Sequence, residues 1–170
     1  MTAKNLVLPV LFLMSCATIA QVPGTAPAAP PPPARGPALA PALEAARAAI
    51  DACIDRDQKV AVSIVDSAGV LKLLLAADGA HARGVQSSTS KAVTALTFKT
   101  PTSRLGEQAK ADKEFADKIA ANPGFNVRAG GVPLKSGEEI IGAIGVGGAR
   151  GSENDEACAL AAIDKVKDRL

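Results

Sequence analysis

Glu139-Ile-Ile-Gly-Ala-Ile-Gly-Val-Gly-Gly-Ala-Arg-Gly-Ser-Glu-Asn-Asp-Glu-Ala-Cys158 decides the reading of this chain. Glu139 to Gly147 alternates small residues with isoleucine and valine, which predicts a buried strand. Gly147 to Gly151 follows as a turn, where glycine lets backbones approach closely or supplies positive φ. Ser152 then stands as the N-cap of a helix, with Asp155 three residues on as a shorter capping-box partner and acidic residues in the first turn to complement the helix dipole. Ala159, Ile163, Val166 and Leu170 recur on one stripe of that helix and should press it onto the sheet.

Working outward, Phe125 to Arg128 and Val132 to Lys135 read as short strands, and Ser136-Gly137-Glu138 turns the chain into the glycine-bearing strand. Upstream, Lys59 to Asp66 and Val70 to Ala77 are apolar runs joined by Asp66-Ser-Ala-Gly69. So short a link makes them an antiparallel hairpin, because a parallel crossover needs a dozen residues or more. Between these strands lie a helix of low hydrophobicity from Ala82 to Phe98 and, after Pro101, helical character from Ser103 to Ala121, stopped by Asn122-Pro-Gly124. The domain opens near Ala38 with a helix to Asp57, whose Leu43, Ala46, Ile50, Cys53 and Ile54 repeat at helical spacing. The sum is an α+β domain over 38–170. It has a five-stranded, mostly antiparallel sheet, with the first and last helices together on one face.

The N-terminus differs in kind. Lys4 precedes an apolar run from Leu6 to Ala20, too short for a membrane span of about 20 residues and suited to an export signal over 1–20. Thr18-Ile-Ala20 offers small residues before a cut at Gln21; Leu13-Met-Ser-Cys16 resembles a lipobox, in which Cys16 would carry a lipid anchor. Eight of the 12 prolines fall between Gln21 and Pro41, so 21–37 reads as a semi-rigid proline- and alanine-rich linker. Export places the domain in the periplasm or outside the cell.

Composition removes several function classes. The net charge is +2, from 19 basic and 17 acidic residues without a block of one sign, and there is no Trp or Tyr to stack bases, so no nucleic-acid partner is expected. Gly145 to Gly151 follows a strand and precedes a helix as a dinucleotide fingerprint does, yet no second parallel strand follows to bring an acidic residue to a ribose. A single histidine, His81, excludes a cage of several imidazoles and a Ser-His-Asp arrangement with any other His.

A set of short motifs in order carries a resemblance. Val62-x-Ile-Val-Asp66-x-x-Gly69, Asp78-Gly79, Lys91-Ala-x-Thr-Ala95, Pro101-Thr102, Gly130-Gly-x-Pro133, Gly142-Ala-Ile-Gly-Val-x-Gly148 and Asp155-Glu-x-Cys-Ala159 resemble the GlcG/HbpS haem-binding family from about Ala38 onward. The resemblance implies a profilin-like α/β/α sandwich with helices on both faces, a homo-oligomer, and haem-related binding in some members. Other members sit beside genes for glycolate use or corrinoid chemistry. The chain departs from the pattern at His81, where a small residue or proline is common, and at Ala76-Ala77.

On this resemblance, haem is the expected cofactor, with Lys91, Thr94, Thr102 and Arg104 as its contact set; the bland reading of the same residues is capping by Thr102 and a solvated face for Lys91 and Arg104. One proximal imidazole suffices for haem iron, so His81 is either the metal ligand or an exposed loop histidine. Cys53 and Cys158 fall on two helices placed side by side, which makes a disulfide the natural reading in an oxidising compartment and two buried free thiols the alternative. The chain is thus expected to be an exported haem-binding protein without evident catalytic machinery. The rivals are an enzyme or accessory acting on a small hydroxy acid held by Lys91 or Arg104, and a purely structural oligomeric module.

Overall fold

A computed structural model describes residues 33–170. The expected export signal, including Cys16, and the linker as far as residue 32 lie outside the described residues. The elements run α1 (Leu39–Ile54), β1 (Ala61–Asp66), β2 (Leu71–Ala76), α2 (Ala82–Phe98), α3 (Thr102–Ala111), α4 (Lys113–Ala120), β3 (Gly131–Ser136), β4 (Glu139–Gly147) and α5 (Ser152–Val166), with a closing 3-10 turn at Lys167–Arg169. Among the described residues the sheet has four strands in the order β2-β1-β4-β3, every neighbouring pair antiparallel.

The fifth strand expected at Phe125 to Arg128 is absent. The Asn126 amide, which a ladder would have used, donates instead to Thr94 Oγ1 at 2.9 Å, and Asn126 Oδ1 accepts from the Arg128 amide at 3.0 Å. A side-chain acceptor on a helix has displaced the sheet partner. Phe125 packs its ring edgewise on Phe98, 5.2 Å between centroids, which holds the segment as a loop against α2. The long helix expected over 103–121 is also divided: Asp112 leaves helical geometry and caps α4 by accepting from the Phe115 amide at 3.0 Å.

β4 is central, and its two faces explain its composition. Ile144 and Val146 pair with Ile64 and Val62 of β1 and join the main core with Ala46, Ile50, Ala159 and Val166 of α1 and α5. Those two helices share one face of the sheet, as expected. On the opposite face Ala143, Gly145 and Gly147 meet α2 through Gly84, Ser88 and Ala92. A Cβ placed on Gly145 would collide with the Ser88 carbonyl, and one on Gly147 would sit 2.7 Å from the Gly84 carbonyl and 2.8 Å from the Ser88 amide. The glycines therefore serve α2, not the last helix. Gly145→Ala must push α2 off the sheet, and overpacking of this kind costs about 3 kcal/mol. Urea unfolding of the variant should show it as a lowered midpoint at unchanged slope.

Two local expectations need correction. Gly151, with φ +84°, is the N-cap of α5, and no side chain caps that end; Asp155 is turned inward and buried. Arg35 and Pro37, read as linker, lie against the hairpin: the Ser67 amide donates to the Arg35 carbonyl at 2.8 Å, and Lys72 Nζ donates to the Pro37 carbonyl at 2.9 Å. Arg35 also forms an ion pair with Glu139.

Candidate functional site

The sheet-facing residues of α2 leave its other side free to build a wall. Arg83, Ser87, Ser90 and Lys91 recur at three- and four-residue steps, and together they line a cleft of about 480 Å³. The second wall is the loop Pro123–Arg128, and the far end is the turn at Gly148-Ala149. The loop is tied to α2 twice: Thr94 Oγ1 accepts from the Asn126 amide, and Ser87 Oγ accepts from Asn126 Nδ2 at 3.0 Å.

A buried ion pair forms the floor. Lys91 Nζ donates to Asp155 Oδ2 at 2.6 Å and to the Val146 carbonyl at 3.0 Å, while Asp155 Oδ1 accepts from the Ala149 amide at 3.0 Å. Their side chains are 2% and 4% exposed, so this pair has almost no water to share. Burial pushes the Lys91 amine below its ordinary pKa and the Asp155 carboxyl above its own, and the attraction between the two opposes both shifts. The pair joins α2, β4 and α5 at one point. Gly130 borders it with φ +123°, where a Cβ would meet Asp155 Cβ at 2.7 Å and Lys91 Nζ at 2.9 Å.

The rim is cationic. Arg83 and Arg128 line the cleft from α2 and from the loop, both exposed. Among the described residues neither guanidinium is in an ion pair. Two planar forks without acidic partners form a rim suited to carboxylates. Phe125, Pro123 and Ala149 add apolar surface.

His81 stands at the entrance as the N-cap of α2, in extended geometry, and its Nδ1 accepts from the Gly84 amide at 3.0 Å. It is exposed and lines the cleft. Of the five expected contact residues, His81 and Lys91 are brought together here. Lys91 lies on no solvated face: Asp155 holds it. Thr94 acts one step away by anchoring the loop wall, with its own hydroxyl donated to the Ser90 carbonyl at 2.7 Å. Thr102 is buried at the first turn of α3, where it accepts from the Gly131 amide at 2.9 Å and so fixes the start of β3; Pro101, not Thr102, is the cap. Arg104 is exposed on α3 and does not line the cleft.

Sequence reasoning passed over Arg83, Arg128 and Asn126. A helical wheel of α2 would have set Arg83 beside Lys91, but the loop residues carry no local signal of their place. A second, wider cleft of about 810 Å³ at the other end of α2, beside Gly69, Leu96 and Glu139, holds none of the expected contact residues. Elsewhere, Cys53 and Cys158 stand at disulfide distance, with Cα atoms 5.6 Å apart. They lie in the core between α1 and α5 and do not line the cleft.

Residues 38–164 match the family described as haem degrading protein HbpS-like. Among solved structures the chain is similar to HbpS, at 32% identity over 76% of this chain and 89% of that one, with a TM-score of 0.70. It is similar also to Streptomyces reticuli HbpS carrying two Glu-to-Asp substitutions, at 31% identity over 86% and 98% of the two chains, with a TM-score of 0.73. A complex of PduOC with haem is 24% identical over 75% and 92%, with a TM-score of 0.69, and speaks for the fold alone. No curated protein matches the chain.

Proposed function

The chain belongs to the HbpS-like family, and from that premise we propose that it is an exported haem-binding protein whose site is the cleft between α2 and the Pro123–Arg128 loop. One observation carries the reading: two exposed guanidiniums, unpaired among the described residues, and one imidazole line a cleft that also presents Phe125 and Pro123. Haem presents a flat apolar face and two carboxylates, and the residues present fit that chemistry. Arg83 and Arg128 would hold the propionates, and Phe125 and Pro123 would meet the porphyrin. Bound haem would supply redox chemistry at iron. The protein's own part is to orient it: Thr94 and Asn126 set the loop wall, and the Lys91–Asp155 pair fixes the floor.

A homo-oligomer, which the family resemblance implies, is part of the same proposal. Export to the periplasm or beyond, with an anchor at Cys16 where the lipobox is used, is part of the same proposal. So is a Cys53–Cys158 bond, which such a compartment would maintain.

Haemin titration of the full chain, followed by absorbance, tests the reading. A saturable Soret shift is expected, and the double variant Arg83→Ala, Arg128→Ala should bind roughly 10- to 100-fold more weakly, as loss of charge-assisted hydrogen bonds implies. A shift no larger than that given by an unrelated protein would overturn it. The same guanidiniums also suit a small hydroxy acid such as glycolate. That reading would take over if glycolate binding were saturable, lost in the double variant, and unaccompanied by any specific haemin response.

A further inference from the structure

His81 is the lone histidine of the chain and a member of the cleft lining, but its ring already has a task. Nδ1 accepts the Gly84 N–H at 3.0 Å and caps α2. A neutral imidazole has one N–H and one lone pair, so a ring whose Nδ1 accepts carries its proton on Nε2. A metal-ligating imidazole through Nε2 requires the opposite tautomer, with Nδ1–H donated to an acceptor such as a carbonyl. Here Nδ1 faces a donor, so the second-sphere partner has the wrong polarity to support ligation. Ligation would therefore set two N–H groups against each other at Nδ1 and leave the Gly84 amide with the His81 carbonyl, 2.8 Å away, as its one acceptor.

We infer that His81 serves the bound haem as an Nε2–H donor to a propionate, beside Arg83 and Arg128, and not as the ligand of iron. The inference rests on the haem reading above and assigns the residue's role within it. It also accounts for the company His81 keeps, since the three groups at the mouth of the cleft are then all N–H donors and select for carboxylate oxygen. The carboxylate nearest them in the cleft, Asp155, is occupied by Lys91 and the Ala149 amide, so it does not compete for these donors.

Two measurements on the full chain test this. Long-range 15N–1H correlation spectra resolve a single imidazole, and in mildly alkaline buffer they should show Nε2–H with an unprotonated Nδ1. His81→Asn is the informative variant: an amide oxygen can keep the cap and an amide N–H can replace the donor, but the side chain is no ligand for haem iron. Haemin should bind this variant within about twofold of the parent, with the same Soret maximum and the same electron paramagnetic resonance signal. His81→Ala should bind roughly tenfold more weakly, still with the parent spectrum, as loss of one hydrogen bond to a charged group implies. An Nδ1–H tautomer, or a Soret and resonance change in His81→Asn, would overturn the inference and restore His81 as the ligand. A flat haemin titration of the parent would overturn the haem reading and this role together, and is distinguishable because no spectrum then changes in any variant.

Discussion

Asp155→Ala is expected to lower the unfolding free energy by about 3–5 kcal/mol, because it leaves the Lys91 ammonium buried without its counter-charge. The side chains are too deeply placed for water to take over, at 2% and 4% exposed. The loss has a second component in the Ala149 amide, which gives up its acceptor. The double variant Lys91→Met, Asp155→Ala should recover part of the loss, since no charge then remains in the interior. Paired urea unfolding curves decide the matter: equal losses in the single and double variants would mean that the charge of Lys91 is not what the interior resists. Because burial works against both ionised partners, the pair adds little net stability, and its worth lies in holding α2, β4 and α5 in one arrangement beneath the cleft.

Reduction of a Cys53–Cys158 bond should cost a comparable amount for a different reason. The residues are 105 apart in sequence, and closing a loop of about 100 residues contributes about 4.7 kcal/mol in the chain-entropy model, before any strain. Oxidised full chain should therefore unfold at markedly higher urea than the same chain with reductant, and the gap should vanish in the Cys53→Ala, Cys158→Ala variant. A thiol count on the unreduced, unfolded exported chain gives an independent answer: neither Cys53 nor Cys158 should react. Reactive thiols at Cys53 and Cys158, with curves indifferent to reductant, would mean that the pair is buried as free thiols.

Much of the frame was legible because it rests on local patterns. The hairpin followed from a link too short for any other pairing, and the strand Glu139–Gly147 from its small and β-branched residues. The pairing of α1 with α5 followed from one apolar stripe on each helix. What was not legible depends on residues distant in sequence. Phe125 and Val127 alternate as a strand would, and only the Thr94 hydroxyl on α2 diverts the intervening amide. Asp155 sits where a capping box would put its acid, and Lys91, 64 residues earlier, draws it inward together with the Ala149 amide. The cap at His81 was within reach, since a polar side chain directly before a helix is the ordinary place for one.

The glycine seam between α2 and β4 has an engineering consequence. Where main chain rests on main chain, the spacing of the two elements is set by close backbone approach, and on the cleft-facing side of α2 the tie back to the sheet runs through Lys91 and the Val146 carbonyl. Arg83, Gln86 and Ser90 can be exchanged for other chemistries while the platform beneath them keeps its dimensions. The fold thus separates the part that carries shape from the part that carries preference, and a new ligand can be sought by redrawing one helical face and one loop.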